Sequence, residues 1–164
     1  MEVAHGLMET LKNACQALDE HGIPYCLIGG LAVGLLGKPR ATEDIDLLIL
    51  VEQDAREKVA AALRSRLTIV QDTNITRFKK ATIWRVIIKD TFSGDAGIFV
   101  LDLLFADTPL YKTTVRNPVR IEIDGVQIPV ARAEHLIKIK RLSGRPQDLL
   151  DADMLRDELR RHHD

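Results

Sequence analysis

Eight consecutive residues, Ile98 to Phe105, carry a single polar side chain, that of Asp102. A run this short and this apolar, preceded by the turn-rich Ser93-Gly94-Asp95-Ala96-Gly97, reads as a buried strand. Asp46-Leu47-Leu48-Ile49-Leu50-Val51 reads as a second strand, and Tyr25-Cys26-Leu27-Ile28 as a third, shorter one. A fold built on such strands needs other layers to cover them.

The covering layers are visible in the periodicity. Val3, Leu7, Leu11, Cys15 and Leu18 recur at helical spacing with Lys12, Asp19 and Glu20 outside, and Gly22 and Pro24 end that helix. Leu31 to Leu36 reads as a short apolar helix closed by Gly37 and Pro39. Glu52 to Arg66 reads as a helix with Ala55, Val59, Ala62 and Leu63 on one face. Thr68–Lys79 and Thr82–Lys89 alternate as half-exposed antiparallel strands, and Ile121 to Ile128 is a hairpin around Asp124-Gly125. Helices run from Ala133 to Leu142 and from Pro146 onward, where proline suits a first turn. The expected architecture is α+β, or mixed α/β, with one twisted mixed sheet flanked by helices. The strand order is left open.

At 164 residues the chain is the size of one domain, so a single unit over 1–164 is expected, with the helices of 133–162 packed on it. Lys plus Arg (23) and Asp plus Glu (24) nearly cancel. That excludes an overall basic coat, so a nucleic-acid contact would need a local patch, whereas nucleotide binding stays open. Cys15 and Cys26 form no CxxC pair and read as buried thiols in a reducing compartment. Met1–Gly6 lacks the basic and apolar regions of a signal peptide, and the weakly polar stretch Tyr25–Gly37 is too short to cross a bilayer. A soluble, cytoplasmic protein with no membrane partner is the expectation.

The chemistry-bearing pattern is Ile28-Gly29-Gly30, thirteen intervening residues, then Asp44-Ile45-Asp46 at the opening of a strand. Alternation along the strand points Asp44 and Asp46 the same way and Ile45 into the core. Two carboxylates that close repel each other unless a cation lies between them, and a hard divalent ion takes oxygen ligands of this kind. Asp102, inside its own apolar strand, needs a partner, because burying an unpaired charge is costly. If its strand neighbours that of Asp46, three carboxylates converge on a site for one or two Mg²⁺ ions bridging phosphates. Gly29 and Gly30, without Cβ atoms, would let backbone approach a triphosphate, and the helix after them offers N–H groups to an anion. The order is neither a Walker loop, since Gly37-Lys38-Pro39 lacks the following Ser or Thr, nor a dinucleotide fingerprint.

With Gly29-Gly30, Arg40-Ala41-Thr42-Glu43-Asp44-Ile45-Asp46 and a lone Asp in a later strand, the chain resembles the nucleotidyltransferase superfamily with the DNA polymerase β-like fold. Glu134-His135-Leu136-Ile137-Lys138-Ile139-Lys140, with Gly144-Arg145-Pro146-Gln147-Asp148-Leu149-Leu150-Asp151, is similar to its AbiEii/AbiGii toxin-type branch, Gln147 standing where that branch has Lys or Arg. The resemblance implies transfer of a nucleoside monophosphate from an NTP to a hydroxyl of RNA, tRNA or a protein, with pyrophosphate released. It implies Asp44, Asp46 and Asp102 as catalytic and Mg²⁺-holding residues, in a two-metal site, with Asp102 helping to deprotonate the hydroxyl. It further implies nucleotide contacts from Gly29, Gly30, Lys140, Asp148 and Asp151, ATP among the nucleotides, and a cognate antitoxin as partner. A nucleotide-binding regulatory module of the same fold is the alternative.

Plainer readings stand beside these. Asp44 and Asp46 could be solvated residues at a strand start, Asp102 could be paired with a buried Arg instead of a metal, and Gly29-Gly30 could be only a tight turn. Lys140, between Lys138 and Arg141, could lie on a wet helix face, and Asp148 and Asp151 could simply favour a helix N-terminus. Trp84 reads as sheet packing, and Arg77, Lys79, Lys80 and Arg85 as a solvated basic strand region.

Overall fold

The apolar runs form the middle of a sheet in a computed structural model that describes residues 2–37, 42–94 and 97–163. Lys38-Pro39, the Arg40-Ala41 part of the motif, Asp95-Ala96 of the loop and the side chain of Val3 lie outside the described residues. In chain order the elements are α1 (Glu2–Glu20), β1 (Tyr25–Ile28), α2 (Gly29–Leu36), β2 (Asp44–Ile49), α3 (Arg56–Arg64), β3 (Ile69–Asp72), β4 (Thr76–Arg77), β5 (Thr82–Lys89), β6 (Ile98–Phe105), α4 (Pro109–Arg116), β7 (Val119–Ile123), β8 (Val126–Val130), α5 (Ala133–Ser143) and α6 (Pro146–His163).

The strands form one mixed sheet in the order β3-β5-β6-β2-β1-β8-β7, with β4 paired to β5. β2 runs parallel to β6 and β1 parallel to β8, and the remaining pairs are antiparallel. The mixed α/β architecture expected from the periodicity is the one observed. One face carries Leu47, Ile49, Trp84, Val86, Ile88, Leu101, Leu103 and Phe105, each 0–1% exposed. It is the face of α1, as the hydrogen bond from the Tyr25 hydroxyl to the Cys15 carbonyl shows (3.1 Å), and α3 packs on α1. The opposite face is covered only part-way. There α2 and α4 reach β1 and β2, the α5–α6 pair packs on α2, and Ile98 stays 57% exposed.

Four local expectations change. Thr68–Lys79 is not one strand: it splits into β3 and β4, because the turn-forming Thr73-Asn74 interrupts it and β3 shifts register between Ile69 and Gln71. The helix expected over Glu52–Arg66 begins as a 3-10 turn, Gln53–Ala55, before α3. Helix α4 went unread in the sequence, although Thr108 accepts from the Tyr111 N–H (3.3 Å) and Pro109 opens the first turn. Lys12, expected outside, is 8% exposed. Its ammonium pairs with Glu9 and lies 3.0 Å from Asp124 in the β7–β8 turn, so an α1 cation fastens the hairpin.

Candidate active site

The uncovered stretch of the sheet is where the acidic residues meet. In β2, Ile45 is fully buried while Asp44 is exposed and Asp46 half-buried, the alternation expected of them. β6 lies directly beside β2 in parallel, and its register sets Asp102 against Asp46 and Val100 against Asp44. Neighbouring strands are about 4.8 Å apart, so an in-register pair projects its carboxylates side by side. The charges act on one another: burial first, then the repulsion of Asp102 and Asp44, pushes the Asp46 carboxyl up to about 7, against the pull of Lys140 and Arg145.

Gly29 is locked to this arrangement. It adopts φ +75, and a Cβ on it would lie 2.8 Å from the Asp46 Cγ and 2.9 Å from the Asp46 Cβ, with Oδ2 nearer still. The glycine thus gives up its side-chain space to the carboxylate opposite, β1 being paired to β2 with Ile28 against Asp46. Gly30 is buried at the start of α2, whose N-cap, Ile28, supplies no side-chain cap. The first turn of α2 therefore has backbone N–H groups that its N-cap residue does not receive.

The third acid is held from the other side. Arg85 in β5 is in register with Asp102, and its Nε and Nη2 donate to the two carboxylate oxygens at 2.8 and 2.9 Å. Among the described residues no group of three or more His, Cys, Asp or Glu side chains is gathered closely enough to hold a metal ion. The donor chemistry of Asp44, Asp46 and Asp102 is nonetheless all oxygen, and at Asp46 burial and the neighbouring carboxylates outweigh the pull of Lys140 and Arg145, which suits a hard divalent cation.

Facing the sheet, α5 and α6 meet in a buried ionic cluster. Lys140 lies 3.3 Å from Asp148 and 3.1 Å from Asp151, all three side chains 8% exposed or less. Asp148 also accepts from Ser143 Oγ (2.7 Å) and Arg145 Nε (2.8 Å), and Gln147 donates to Asp151 (2.9 Å). Burial by itself would raise the Asp148 carboxyl, but Arg145, Ser143 and Lys140 together hold it at about 2. The wet-face reading of Lys140 is thereby overturned.

The structure thus places Asp44, Asp46 and Asp102 on the adjacent central strands β2 and β6, with Gly29 and Gly30 at the start of α2 beside Asp46. Lys140, Asp148 and Asp151 sit across from them, with Lys140 and Arg145 acting on Asp46. Arg85 and Arg145 were not singled out as site residues in the sequence. Arg145 lies within the Gly144–Asp151 motif; an arginine partner for Asp102 is one of the plainer readings of the sequence, and strand order identifies it as Arg85, more than half exposed rather than buried. Trp84 is sheet packing, fully buried with the Arg56 guanidinium 5.2 Å over its ring. Cys15 and Cys26 are buried free thiols, both raised to about 12 by burial.

A family model described as aminoglycoside-2''-adenylyltransferase matches residues 10–155. No curated protein matches the chain in sequence. Among solved structures, the chain is similar to an antigenic nucleotidyltransferase-like protein from Paracoccidioides brasiliensis (22% identity, TM-score 0.65, covering 91% of this chain and 74% of that one). It is also similar to the antibiotic-resistance factor ANT(2'')-Ia (15%, TM-score 0.53, 99% and 95%). A third likeness is to the lincosamide antibiotic adenylyltransferase LnuA with lincomycin bound (16%, TM-score 0.53, 90% and 95%). At these identities the likenesses establish the nucleotidyltransferase fold.

Proposed function

The chain belongs to the aminoglycoside-2''-adenylyltransferase family, and from that premise we propose that it moves a nucleoside monophosphate, AMP first among them, from a Mg²⁺-bound NTP to a hydroxyl of a small acceptor. The observation that carries this reading is the in-register placement of Asp46 and Asp102 on adjacent strands, with Gly29 held against Asp46.

Asp44, Asp46 and Asp102 would hold the divalent cation, in a two-metal arrangement, which when bound shields the triphosphate and makes its α-phosphorus more electrophilic. Gly29 and the first turn of α2 would receive phosphate oxygens through backbone N–H groups. The Arg145 side chain, 77% exposed, would meet the charge of the leaving pyrophosphate. Lys140, already holding Asp148 and Asp151, would act by fixing the α5–α6 pair beside the nucleotide. The acceptor oxygen forms a bond to the α-phosphorus, the bond from that phosphorus to the bridging oxygen of pyrophosphate breaks, and the acceptor proton passes to Asp102.

An RNA acceptor is the second reading. Arg77, Phe78, Lys79 and Lys80 are all exposed at the β4–β5 turn, Phe78 by 56%, and the Lys80 ammonium donates to the Leu142 carbonyl at the end of α5. Cations interleaved with an aromatic ring suit single-stranded nucleic acid. The toxin-type role with a cognate antitoxin, and a protein acceptor, rest on Lys140, Asp148 and Asp151 alone.

The test is incubation with NTPs labelled at the α-phosphate, Mg²⁺, and separate pools of aminoglycosides, lincosamides, RNA and protein. Label should move to a small acceptor and be lost in D44A and D46A. Equal transfer by those variants would defeat the assignment. Label on RNA alone would select the second reading. Tight NTP–Mg²⁺ binding without transfer to any pool would instead point to a regulatory nucleotide-binding module.

A further inference from the structure

Asp102 has a cation on one side and an anion on the other. Across β5–β6 it faces Arg85, and across β2–β6 it faces Asp46. Both of its oxygens are taken by the guanidinium fork, at 2.8 and 2.9 Å. The two partners are unequally placed: the Asp102 side chain is 11% exposed, the Arg85 side chain 54%. An arginine that reaches a buried carboxylate from the solvent side can release it to water by rotating its own long side chain, whereas the aspartate is fixed by the strand that carries it.

We propose that Arg85 is an internal counter-ion for the third carboxylate, which it occupies until a divalent cation displaces it. The inference rests on the reading of Asp44, Asp46 and Asp102 as the cation's ligands. Three carboxylates on two adjacent central strands repel one another with no cation between them, and the fork of Arg85 neutralises the one that is most buried. The same fork keeps Asp102 from turning toward Asp44 and Asp46, in keeping with the lack of a gathered acidic trio among the described residues. Arg85 is thus a positioning residue: it sets when Asp102 becomes available, and its cost is paid in cation affinity.

The competition is read directly with Mn²⁺, by calorimetry and by thermal melting, on the wild type, R85Q, R85K and D46N. R85Q should bind Mn²⁺ about tenfold more tightly than the wild type, about 1.4 kcal/mol, since the cation no longer has to displace a fork from both Asp102 oxygens. R85Q should melt lower than the wild type without metal and recover more with Mn²⁺. R85K, with a point charge in place of the fork, should fall between them in affinity, and it serves in the place of R85Q if that variant does not fold. A merely structural ion pair predicts a lower melting temperature with Mn²⁺ affinity unchanged or weaker, and that result overturns the proposal, as does a lack of Mn²⁺ binding by both proteins. D46N separates the two readings. Mn²⁺ binding that survives in D46N removes the carboxylate site itself, whereas loss in D46N with no gain in R85Q removes the role of Arg85 alone.

Discussion

Gly29 and Asp46 are complementary at the level of single atoms. Gly29→Ala would place a Cβ within 3 Å of the Asp46 side chain and force a left-handed conformation on a residue that disfavours it. The expected loss is about 2 kcal/mol or more, read as a lower urea midpoint with unchanged slope; an unmoved midpoint would show that the turn relaxes freely. Asp46 also sets a pH dependence. Its carboxyl lies near 7, above the 3.8 of an ordinary aspartate. Between about pH 4 and 7 the folded protein therefore holds more protons than the unfolded chain, so this residue's contribution to stability is complete below about 4 and lost as pH rises through 7. In metal-free buffer D46N should gain on the wild type across that window, by on the order of 3 kcal/mol at pH 8. Parallel stability curves for the two proteins would show that Asp46 is charged throughout.

Helices α5 and α6 are joined through charge as well as through apolar packing. Gly144 (φ +71) ends α5 and Pro146 begins α6, and the cluster around Lys140 closes the corner they make. Lys140→Met would leave Asp148 and Asp151 buried without their shared cation, an expected loss of about 3–5 kcal/mol. Asp148 has the opposite sign from Asp46: its carboxyl is held at about 2, so its stabilisation is present above about pH 4 and disappears as pH falls through 2. Asp148→Asn should flatten the acid limb of the unfolding curve, as followed by circular dichroism; an acid limb identical to that of the wild type would mean the cluster does not outlast burial. Lys12 has an equivalent part at the other end of the sheet, where it ties α1 to the Asp124 turn.

On the scale of the whole molecule, Trp84 is the chain's single tryptophan and is completely buried in β5. Its fluorescence reports the sheet, while far-ultraviolet circular dichroism is weighted by the helices. If residues 1–164 make one folding unit, as we propose, the two signals should give coincident urea transitions. A helical transition that precedes the loss of Trp84 burial would make the 133–163 helices a separate unit.

Much of this was written in local pattern. Tyr25–Ile28, Thr82–Lys89 and Ile98–Phe105 have the observed strand boundaries, because alternation and apolar runs record what each residue itself must bury. The placement of Asp44 and Asp46 on one side of a strand was legible for the same reason; the helix expected from Leu31 begins two residues earlier and takes in both glycines. Helix α4 was missed although Thr108 and Pro109 announce it, since its eight residues are too few for periodicity to speak. Strand order belongs to the tertiary structure alone. It put β6 between β2 and β5, and so gave Asp102 both an acidic neighbour and Arg85. The folding of α6 back on α5 after Gly144 likewise carried Lys140 from an apparent wet face into a buried cluster. Sequence spacing fixes which side chains share a face of one element; which elements lie side by side depends on contacts between segments far apart in the chain, and the charge balance of the site was decided there.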